Sequence, residues 1–403
     1  MKFNIKKTEL KSAVKLAVKA LSSKPALPAL ECLHFSVESD LLTITATDLE
    51  IFISIDCPII GHGEKSDFVI DAKQMEKIVD NIETIDLSFE VGTHFVLIKT
   101  DIGNFNVPYS AEDAEMFPIA PVANDLVLSV GNDVLRSVIS NNLFAVSNDD
   151  LRPAMTGILL DIKTDKVTVA ATDAHRLCVD NFDAAIAQTD IKVILPKKFC
   201  KVVESIKGND IAELLQGESS YLYDCGNIRV LFRPVDARYP DYMCIVPKKN
   251  DKGELYNHVA KFGRNDLIKA IKAASIMADS TTNQIRFIFT ASGNCTIVAQ
   301  NLDYSTDSLV PIKCDYQILA PFEFEVTDMD DANLKADGSR PTKKVMLGVN
   351  DWIIGVNSRM LIEALLNINS EVVEFGMQTA NRAMVLKDGE NRFLLQMPVI
   401  INN

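Results

Sequence analysis

The sequence predicts an α+β fold built from three copies of one unit, in which two helices pack on antiparallel sheets. Repetition is the first observation behind this prediction. A short strand that runs into an amphipathic helix occurs three times in 403 residues, and the helix cores LKSAV, LRSVI and LIKAI are nearly interchangeable. The second observation is that each third carries a further strand and helix, and closes on a strand that meets a proline. We therefore expect three domains of the same fold.

The first helix of each unit follows a strand, in segments that span residues 3–21, 126–146 and 259–278. In the first segment, helical periodicity places an apolar stripe on one face, formed by Leu10, Val14, Ala17, Val18 and Leu21. A cationic stripe with a spacing of four residues runs along the flank, formed by Lys11, Lys15 and Lys19. This helix is predicted to pack on a sheet with its lysines exposed.

The second helix of each unit follows an apolar strand, in segments that span residues 68–82, 193–206 and 353–368. In the first domain its predicted buried stripe is Met75, Ile78, Val79 and Ile82, with Lys73 and Lys77 turned away. In the second domain the predicted buried stripe is Phe199, Val202, Val203 and Ile206, with Lys197 and Lys201 opposite and Lys198 at the side. The same pattern of apolar and basic faces is thus predicted twice.

Strand-rich stretches lie between the two helices of each third, at residues 41–53, 166–179 and 294–310. The closing strands lie at 105–109, 230–242 and 393–401, and because proline lacks a backbone donor we expect them to end there or to lie on a sheet edge. Polar, proline-bearing segments at 118–125 and 247–254 are typical linkers. The predicted domains are therefore 1–122, 123–248 and 249–403, the last with an acidic, turn-rich insertion near 321–347.

The composition is that of a globular protein, since 47% of the residues are apolar. No apolar stretch approaches the roughly 18 residues of a membrane span, and the opening MKFNIKKTEL has charges where a signal peptide needs its apolar centre. We therefore expect a soluble, cytoplasmic protein with no membrane partner.

Neither a metal nor a cofactor is expected. Eight cysteines are dispersed without a C-x-x-C pair or a histidine at ligand spacing, which is typical of reduced, mostly buried thiols: Cys32, Cys57, Cys178, Cys200, Cys225, Cys244, Cys295 and Cys314. A glycine-rich phosphate loop is also missing from the sequence, which argues against an ATPase or a polymerase.

The formal net charge of −14 normally counts against nucleic-acid binding. That inference fails if the lysines are segregated, and lysines do recur on the outer flanks of the repeated helices, including Lys269 and Lys272 in the third domain. An exposed lysine face is usually only a solubilising surface, and this alternative stays open. Basic helices that face inward, with acidic residues elsewhere, would suit a protein with an aperture that attracts DNA from within.

Several short motifs match one known family. They are the opening MKF, SKPALPALECLHF at 23–35, ATDLE at 46–50, ATDAHRL at 171–177, RYPDY at 238–242, VPK at 246–248 and MP at 397–398. With them the sequence resembles the bacterial sliding clamps, the beta subunits of DNA polymerase III, over the whole chain except the insertion. The resemblance implies the DNA clamp fold and a head-to-tail homodimer that closes a six-domain ring, with twelve helices lining the hole and continuous sheets outside.

The implied function is to hold double-stranded DNA without sequence preference and to tether the replicative polymerase for processive synthesis. Lysine contacts to phosphates carry no sequence information, which is what a sliding protein needs. By position, the resemblance implies DNA contacts at Lys24, Lys73, Lys197 and Lys198. The helical periodicity adds Lys11, Lys15, Lys19 and Lys201. In the NDDLRPA loop at 148–154, Pro153 and Ala154 replace aromatic residues of some relatives.

The resemblance also implies a pocket into which polymerase, clamp loader and repair proteins insert a short extended peptide. Carried over by position, its lining is Met155, Thr172, Ala174, His175, Arg176, Leu177, Pro240, Ile245, Ala383, Leu395, Met397, Pro398 and Val399. Apolar side chains would supply affinity and the few polar groups would fix orientation. Ala174 stands where glycine is common and Cys244 where many relatives have a basic residue. The tail VIINN also runs past the usual end, so the preferred peptide is expected to differ.

Two other interpretations of the ATDAHRL segment stay open. Asp173 and His175 could be the orienting acid and general base of a hydrolase, with Ser147 or another hydroxyl as nucleophile. Against this, the sequence has no G-x-S-x-G motif, and the first repeat has TDLE without a histidine. His175 could also merely satisfy hydrogen bonds at a domain seam, which is compatible with a clamp.

Overall fold

The computed structural model describes residues 1–109, 114–164, 166–183, 186–187, 190–208, 210–247, 256–290, 292–301, 303–319, 322–327, 342–347 and 352–400. Contacts divide the chain into two compact units. Unit 1 comprises Met1–Ser140, Gly157–Thr168 and Asp183–Ala237, and unit 2 comprises Asn141–Thr156, Val169–Phe182 and Arg238–Asn403. The division into three domains stays a prediction.

The elements follow one another in the repeated order that the sequence predicts. The first third contains β1 (Lys2–Lys6), α1 (Lys7–Ala17), β2 (Cys32–Thr47), β3 (Ile51–Asp71), α2 (Ala72–Asn81), β4 (Asp86–Val91), β5 (Phe95–Lys99) and β6 (Asn104–Pro108). The middle third contains β7 (Ala123–Gly131), α3 (Asn132–Leu143), β8 (Gly157–Ile162), β9 (Val167–Thr172), β10 (Arg176–Phe182), β11 (Ile186–Ala187), β12 (Ile191–Pro196), α4 (Lys197–Ser205), β13 (Ile211–Gly217), β14 (Tyr221–Cys225) and β15 (Ile228–Phe232).

The last third contains β16 (His258–Gly263), α5 (Arg264–Ala274), β17 (Gln284–Phe289), β18 (Cys295–Asn301), β19 (Thr306–Ile312), β20 (Asp315–Ile318), β21 (Phe322–Thr327), β22 (Thr342–Leu347), β23 (Trp352–Asn357), α6 (Ser358–Leu366), β24 (Val372–Met377), β25 (Met384–Asp388) and β26 (Arg392–Gln396). Each of these six helices begins at the residue after a strand ends. The predicted α+β class and its repeated strand and helix pairs are therefore confirmed.

Unit 1 is organised around one antiparallel sheet. Its strand order is β11-β7-β13-β14-β15-β3-β1-β4-β5-β6, and β2 pairs with β3 off this path. Strand β8 pairs with β12, from Gly157 opposite Pro196 to Ile162 opposite Ile191. The sheet ends at β6, whose last residue is the proline expected to stop it or to place it on an edge.

Unit 2 contains two antiparallel sheets of interest for the site. One runs in the order β9-β10-β26-β25-β24-β16-β20, and the other in the order β19-β18-β17-β23. The closing strand β26 ends at Gln396, two residues before Pro398. The neighbouring strand β25 presents Met384 opposite Gln396, and β26 also pairs with β10, so β26 lies inside the sheet rather than at its edge.

The apolar helix stripes are buried as predicted in most positions. Leu10, Val14 and Ala17 are buried on α1. Of the stripe predicted for α2, Met75, Val79 and Ile82 are buried, whereas Ile78 is half-buried. On α4 and just after it the buried residues are Phe199, Val202, Val203 and Ile206. Helix α1 ends earlier than predicted, at Ala17, and continues as a 3-10 turn over Val18–Ala20, so Val18 and Leu21 are only half-buried.

Three details differ from the sequence analysis or lie outside what the structure describes. Strand β7 begins at Ala123, inside the predicted linker at 118–125, and the second predicted linker lies outside the described residues after Pro247. Within the predicted insertion, β21 and β22 pair from Phe322 opposite Leu347 to Thr327 opposite Thr342, and the rest is outside the described residues. None of the described helices has the length and apolarity needed to span a membrane.

Candidate partner-binding and DNA-contact sites

The ATDAHRL segment forms a tight turn between β9 and β10 that two side chains hold. Thr172 Oγ1 accepts a hydrogen bond from the Ala174 amide at 3.1 Å and donates one to the Arg176 carbonyl at 2.6 Å. Asp173 Oδ1 accepts from the amides of His175 and Arg176, both at 2.9 Å. Ala174 has a φ of 74°, in the left-handed region that favours glycine. The polar residues at the end of this apolar strand therefore build a turn.

The first repeat contains the same turn. Thr47 Oγ1 accepts from the Leu49 amide at 2.9 Å, and Asp48 Oδ1 accepts from the Glu50 and Ile51 amides at 3.0 and 2.9 Å. Leu49 has a φ of 79°, close to that of Ala174. The recurrence at both positions indicates that the TD pair serves the fold and that any binding role is an addition to it.

Arg176 links this turn to helix α6. Its Nε lies 2.9 Å from Asp173 Oδ2, and its terminal nitrogen lies 2.6 Å from Glu363 Oε2. The guanidinium also lies over the Phe144 ring, 5.0 Å from its centroid. Both oxygens of Asp173 are thus engaged by backbone amides and Arg176, whereas a hydrolase would need this carboxylate to orient His175. The arrangement does not support the hydrolase alternative.

The C-terminal strand lies directly beside the turn. Arg176 pairs with Gln396 and Leu177 with Leu395 across β10 and β26, and the Met397 amide donates to the His175 carbonyl at 2.8 Å. The predicted pocket residues divide by exposure. Thr172, Leu177, Ala383 and Leu395 are buried, Met155, Arg176, Pro240, Met397, Pro398 and Val399 are half-buried, and Ala174, His175 and Ile245 are exposed.

Further hydrogen bonds tie the remaining pocket segments to this region of unit 2. The Met155 carbonyl accepts from the Ser147 amide at 2.9 Å. Tyr239, beside Pro240, donates from its hydroxyl to the Ala170 carbonyl on β9 at 3.2 Å. An open polar cleft of about 420 Å³ adjoins the turn, lined by Val146, Ser147, Asn148, Asp149, Arg152, Asp173, His175 and Arg176. The structure thus brings a polar cleft and half-buried apolar residues together at the turn.

A buried charge network behind the β10 and β26 pair was missed in the sequence analysis. Arg392 is buried and donates to Asp388 at 2.9 Å and to the Asn141 carbonyl at 2.6 Å, and its Nε lies 3.8 Å from Asp180. Burial raises the pKa of Asp180. Burial also opposes ionisation of Asp388, but hydrogen bonds from Asn369 and Ser370 hold its pKa below the usual value. The sequence signal that could have identified this network is the presence of charged residues in three apolar strands, Asp180 in β10, Asp388 in β25 and Arg392 in β26.

The lysines predicted on α1 are partly neutralised by α2. Lys11 Nζ lies 3.1 Å from Asp80 Oδ1, and Lys15 Nζ lies 2.6 Å from Asp80 Oδ2 and 3.4 Å from Glu76. Hydrogen bonds from Lys15 and Lys11 lower the pKa of Asp80, and the pKa of Lys15 is raised in return. These two lysines therefore contact carboxylates of the neighbouring helix.

Lys198 also contacts acceptor groups of the protein itself. Its Nζ lies 2.6 Å from Asp48 Oδ2, in the first repeat's turn, and also donates to the carbonyls of Ala20 and Leu21. Lys197 is half-buried at the start of α4. The remaining predicted DNA contacts are exposed, and no described carboxylate lies within salt-bridge distance of them: Lys19, Lys24, Lys73 and Lys201.

No metal site is evident in the part of the chain that the structure describes, where His, Cys, Asp and Glu do not form a group of three or more. None of the eight cysteines, all of which lie in the described residues, forms a disulfide. Burial raises the pKa of Cys57 to about 12 and of Cys178 to about 11, which disfavours the thiolate that metal binding requires.

The comparisons with known proteins agree with this arrangement of repeats. A family model described as the DNA polymerase III beta subunit, N-terminal domain, matches residues 1–120, and one described as the central domain matches residues 129–241. The chain is 24% identical over 410 residues to the beta sliding clamp of Staphylococcus epidermidis, with 98% of each chain covered. It is 25% identical over 297 residues to that of Bacillus subtilis, covering 71% of this chain and 76% of the relative.

Solved structures share the fold over their full length. The DNA polymerase III subunit beta of Pseudomonas aeruginosa superimposes with a TM-score of 0.84 at 20% identity, and the Bacillus subtilis DNA polymerase sliding clamp with a TM-score of 0.84 at 19% identity, each covering 100% of both chains. The two family models together match more than half of the 403 residues. The chain belongs to the DNA polymerase III beta subunit family.

Proposed function

We propose that this chain is the subunit of a DNA sliding clamp, a dimeric ring that encircles duplex DNA and tethers the replicative polymerase for processive synthesis. The observation that carries the proposal is the match to proteins named beta sliding clamp over 98% of both chains. A match of that extent includes all three repeats, and a ring needs every one of them. The proposal also accounts for lysine-bearing helices in a chain with a net charge of −14.

Three domains, 1–122, 123–248 and 249–403, are part of this proposal. Separate family models for an N-terminal and a central domain support the first boundary, because one ends at residue 120 and the next begins at 129. The three pairs of helices support it too, since each third contributes two.

We infer that the dimer forms head to tail between the first and third domains. Strand β6 ends the sheet of unit 1, and strand β19 ends the four-stranded sheet of unit 2. Exposed apolar side chains accompany both edges: Ile102 is 64% exposed beside β6, Leu309 is 69% exposed on β19, and Ile276 is 74% exposed in the turn that contacts β19. Two different sheet edges on one chain suit a heterologous contact, in which one edge of each chain meets the other edge of its partner. Such contacts close into a ring when the rotation between the two subunits permits it.

DNA is the partner that the lysines favour. Lys19, Lys24, Lys73 and Lys201 are available for phosphates, and Lys197 lies on the same helix as Lys201. Lys11, Lys15 and Lys198 would have to exchange a carboxylate for a phosphate, as Asp80 and Asp48 hold them. Such contacts bind the backbone whatever the base sequence.

The turn and the C-terminal strand are the proposed docking site for short peptides of the polymerase, the clamp loader and repair proteins. Half-buried Met155, Pro240, Met397 and Pro398 offer apolar contacts, and exposed His175 offers a polar one. We propose no catalytic centre and no cofactor, because the carboxylate nearest to His175 in sequence, Asp173, is held by Arg176. A clamp acts where the chromosome lies, so we infer a cytoplasmic location.

Deletion of residues 397–403 tests the peptide site. The deletion removes Met397 and Pro398 but leaves β6, β19 and the lysine helices intact, so the variant should dimerise and lose peptide binding. Loss of each central apolar anchor costs about 2 kcal/mol or more, which is about thirtyfold in affinity, so the combined loss of Met397 and Pro398 should move a micromolar Kd towards the millimolar range. Calorimetric titration with a peptide spanning the polymerase's clamp-binding segment measures this, and light scattering on the same sample reports the dimer.

The point variant Met397→Asp serves as the companion, since it keeps the chain length. It should weaken the same peptide at least tenfold. Full-strength peptide binding by both variants as intact dimers would place the docking site elsewhere and leave the ATDAHRL turn with a structural role only.

A further inference from the structure

A cleft of about 410 Å³ within unit 1 lies between α1 and the end of α4. Buried apolar side chains of Ile55, Cys57 and Ile206 line its floor. Lys15, Lys19 and Lys207 line it as well, and Glu9 is the carboxylate among its lining residues. Lys207 was not among the residues that the sequence identified, because it follows α4 and so falls outside the helical periodicity.

The three lysines differ in whether a carboxylate of the described residues already binds their ammonium group. Lys15 is held by Asp80 and Glu76 on α2. Lys19 and Lys207 are exposed, and no carboxylate of the described residues lies within salt-bridge distance of either. Two uncommitted ammonium groups therefore border the cleft, one on α1 and one beyond α4.

Buried hydrogen bonds fix the backbone that carries Lys207. Asn132, at the start of α3, is fully buried, and its amide donates to the Ile206 carbonyl at 3.3 Å and to the Gly208 carbonyl at 3.1 Å. The Tyr223 hydroxyl donates in turn to Asn132 Oδ1 at 2.6 Å. Both carbonyls that flank Lys207 are thus anchored, so little backbone entropy is lost when this lysine binds a ligand.

The opposite side of the cleft is equally constrained. The Asp56 amide donates to the Asn227 carbonyl at 2.9 Å, and Arg229 donates to both carboxylate oxygens of Asp56 at 2.7 and 2.8 Å. These bonds join β3 to β15 and to the turn before it, which supply Ile228 and Asn227, respectively, to the lining. The cleft is therefore a preformed concavity with an apolar floor and cationic edges.

We propose that this cleft binds the sugar-phosphate backbone of DNA, and that Lys207 is a further DNA-contact residue that acts with Lys19. The inference rests on the proposed function and adds a specific site to it. The ammonium groups of Lys19 and Lys207 would contact phosphate oxygens, and the apolar floor would receive the deoxyribose. Bases are not read, so sliding is preserved.

The test is the affinity of the full-length protein for a fluorescein-labelled 30-base-pair duplex, measured by anisotropy from 50 to 200 mM salt. Each phosphate contact contributes about 0.9 to the slope of log K against log salt. Lys207→Gln should therefore reduce the slope by about 0.9 and weaken binding about eightfold at 0.1 M salt. Lys207→Arg, which keeps the charge, should bind like the unmodified protein.

The matched control is Lys192→Gln, because Lys192 is an exposed lysine on β12 that pairs with Asp161 at 2.9 Å. It should leave the slope unchanged. Unaltered binding by Lys207→Gln, an equal loss in Lys192→Gln, or failure of Lys207→Arg to retain affinity would each overturn this inference while the clamp proposal stands. No duplex binding by the unmodified protein would overturn this inference, whereas the clamp proposal is tested separately by retention on circular DNA.

Discussion

Ala174 shows how a local sequence pair can impose an unfavourable backbone angle. Alanine in the left-handed region costs about 1–2 kcal/mol relative to the right-handed region, and Ala174 has a φ of 74°. Hydrogen bonds from three backbone amides to Thr172 and Asp173 offset this cost. The sequence analysis did not predict this turn, although TD occurs in two repeats, because the hydrogen bonds that stabilise a non-glycine residue there depend on the three-dimensional structure.

The Arg176 side chain is expected to stabilise unit 2 through a partly buried ion pair. Arg176→Met removes the cation from Asp173 and Glu363 and leaves the largely buried Asp173 carboxylate unpaired. Such a loss costs about 3 kcal/mol. Equilibrium urea unfolding of the variant measures it.

Arg152→Met is the control for that measurement. Its side chain is 57% exposed and lies 3.6 Å from Asp149, so its loss should change stability by less than about 0.5 kcal/mol. Equal stabilities for the two variants would contradict the structural role given to Arg176.

His258 is expected to make stability fall on acidification. It is fully buried, its Nδ1 lies 2.7 Å from the Tyr316 hydroxyl, and its ring stacks on Trp352 with centroids 4.2 Å apart. Burial lowers its pKa to about 4 from the ordinary 6.5. On acidification, His258 is therefore protonated near pH 6.5 in the unfolded chain but only near pH 4 in the folded chain.

The contribution of His258 to the free energy of unfolding should thus decrease as the pH falls from about 6.5 to about 4, by about 3 kcal/mol in total. Unfolding free energies of the unmodified protein and of His258→Gln across this range measure the difference, because other titrating groups cancel. The exposed His175→Gln should behave like the unmodified protein. Parallel pH profiles for the unmodified protein and His258→Gln would refute the assignment.

At the level of elements, strands and helices were predictable because their signals are local. Each of the helices α1 to α6 follows a strand without a loop, and apolar residues at helical spacing, such as Leu10 and Val14 on α1, are buried as expected. Helix α1 ends earlier than predicted, and a 3-10 turn at Val18–Ala20 follows it. Where a helix ends depends on tertiary contacts, about which helical periodicity carries no information.

Helical periodicity could not predict which lysines form ion pairs with carboxylates of the same chain. Lys198 and Asp48 are 150 positions apart in the chain, and Lys15 and Asp80 are 65 apart, yet each pair is in contact. Helical spacing tells which side of a helix a lysine occupies, whereas its partner comes from another element. Lys207 was missed because it follows α4 and lies outside the helical periodicity, and because Asn132, which binds the carbonyls on either side of it, belongs to another helix.

Removal of the Asp80 carboxylate should strengthen DNA binding. Asp80→Asn frees Lys11 and Lys15, which both contact that carboxylate. Two released lysines should steepen the salt slope of duplex binding by up to about 1.8. Anisotropy with the labelled duplex measures it.

Asp161→Asn is the matched control, since it frees Lys192 on a strand rather than on a helix, and it should leave duplex binding unchanged. Weaker or unchanged duplex binding by Asp80→Asn would show that the lysines of α1 do not reach DNA.

At the scale of the whole molecule, the repeats and the net charge must be considered together to judge whether the chain binds DNA. A net charge of −14 alone argues against DNA, whereas three repeats with lysines on their helices argue for it. Strands β6 and β19 end sheets of different units among the described residues, so in the proposed head-to-tail dimer each chain would offer one of these edges to its partner's other edge. The closed ring that follows would hold DNA by topology, and the lysines would only need to keep it centred.

Retention on circular DNA tests the central claim most directly. Fluorescently labelled protein is loaded on a nicked circular plasmid by the clamp loader of the same cell, washed at 0.5 M salt, and followed before and after a restriction enzyme linearises the plasmid. A topological ring should resist the wash, because screening weakens phosphate contacts but cannot open a closed dimer, and it should leave once the DNA has ends. Equal retention on circular and linear plasmid, or loss from both in the wash, would contradict the account.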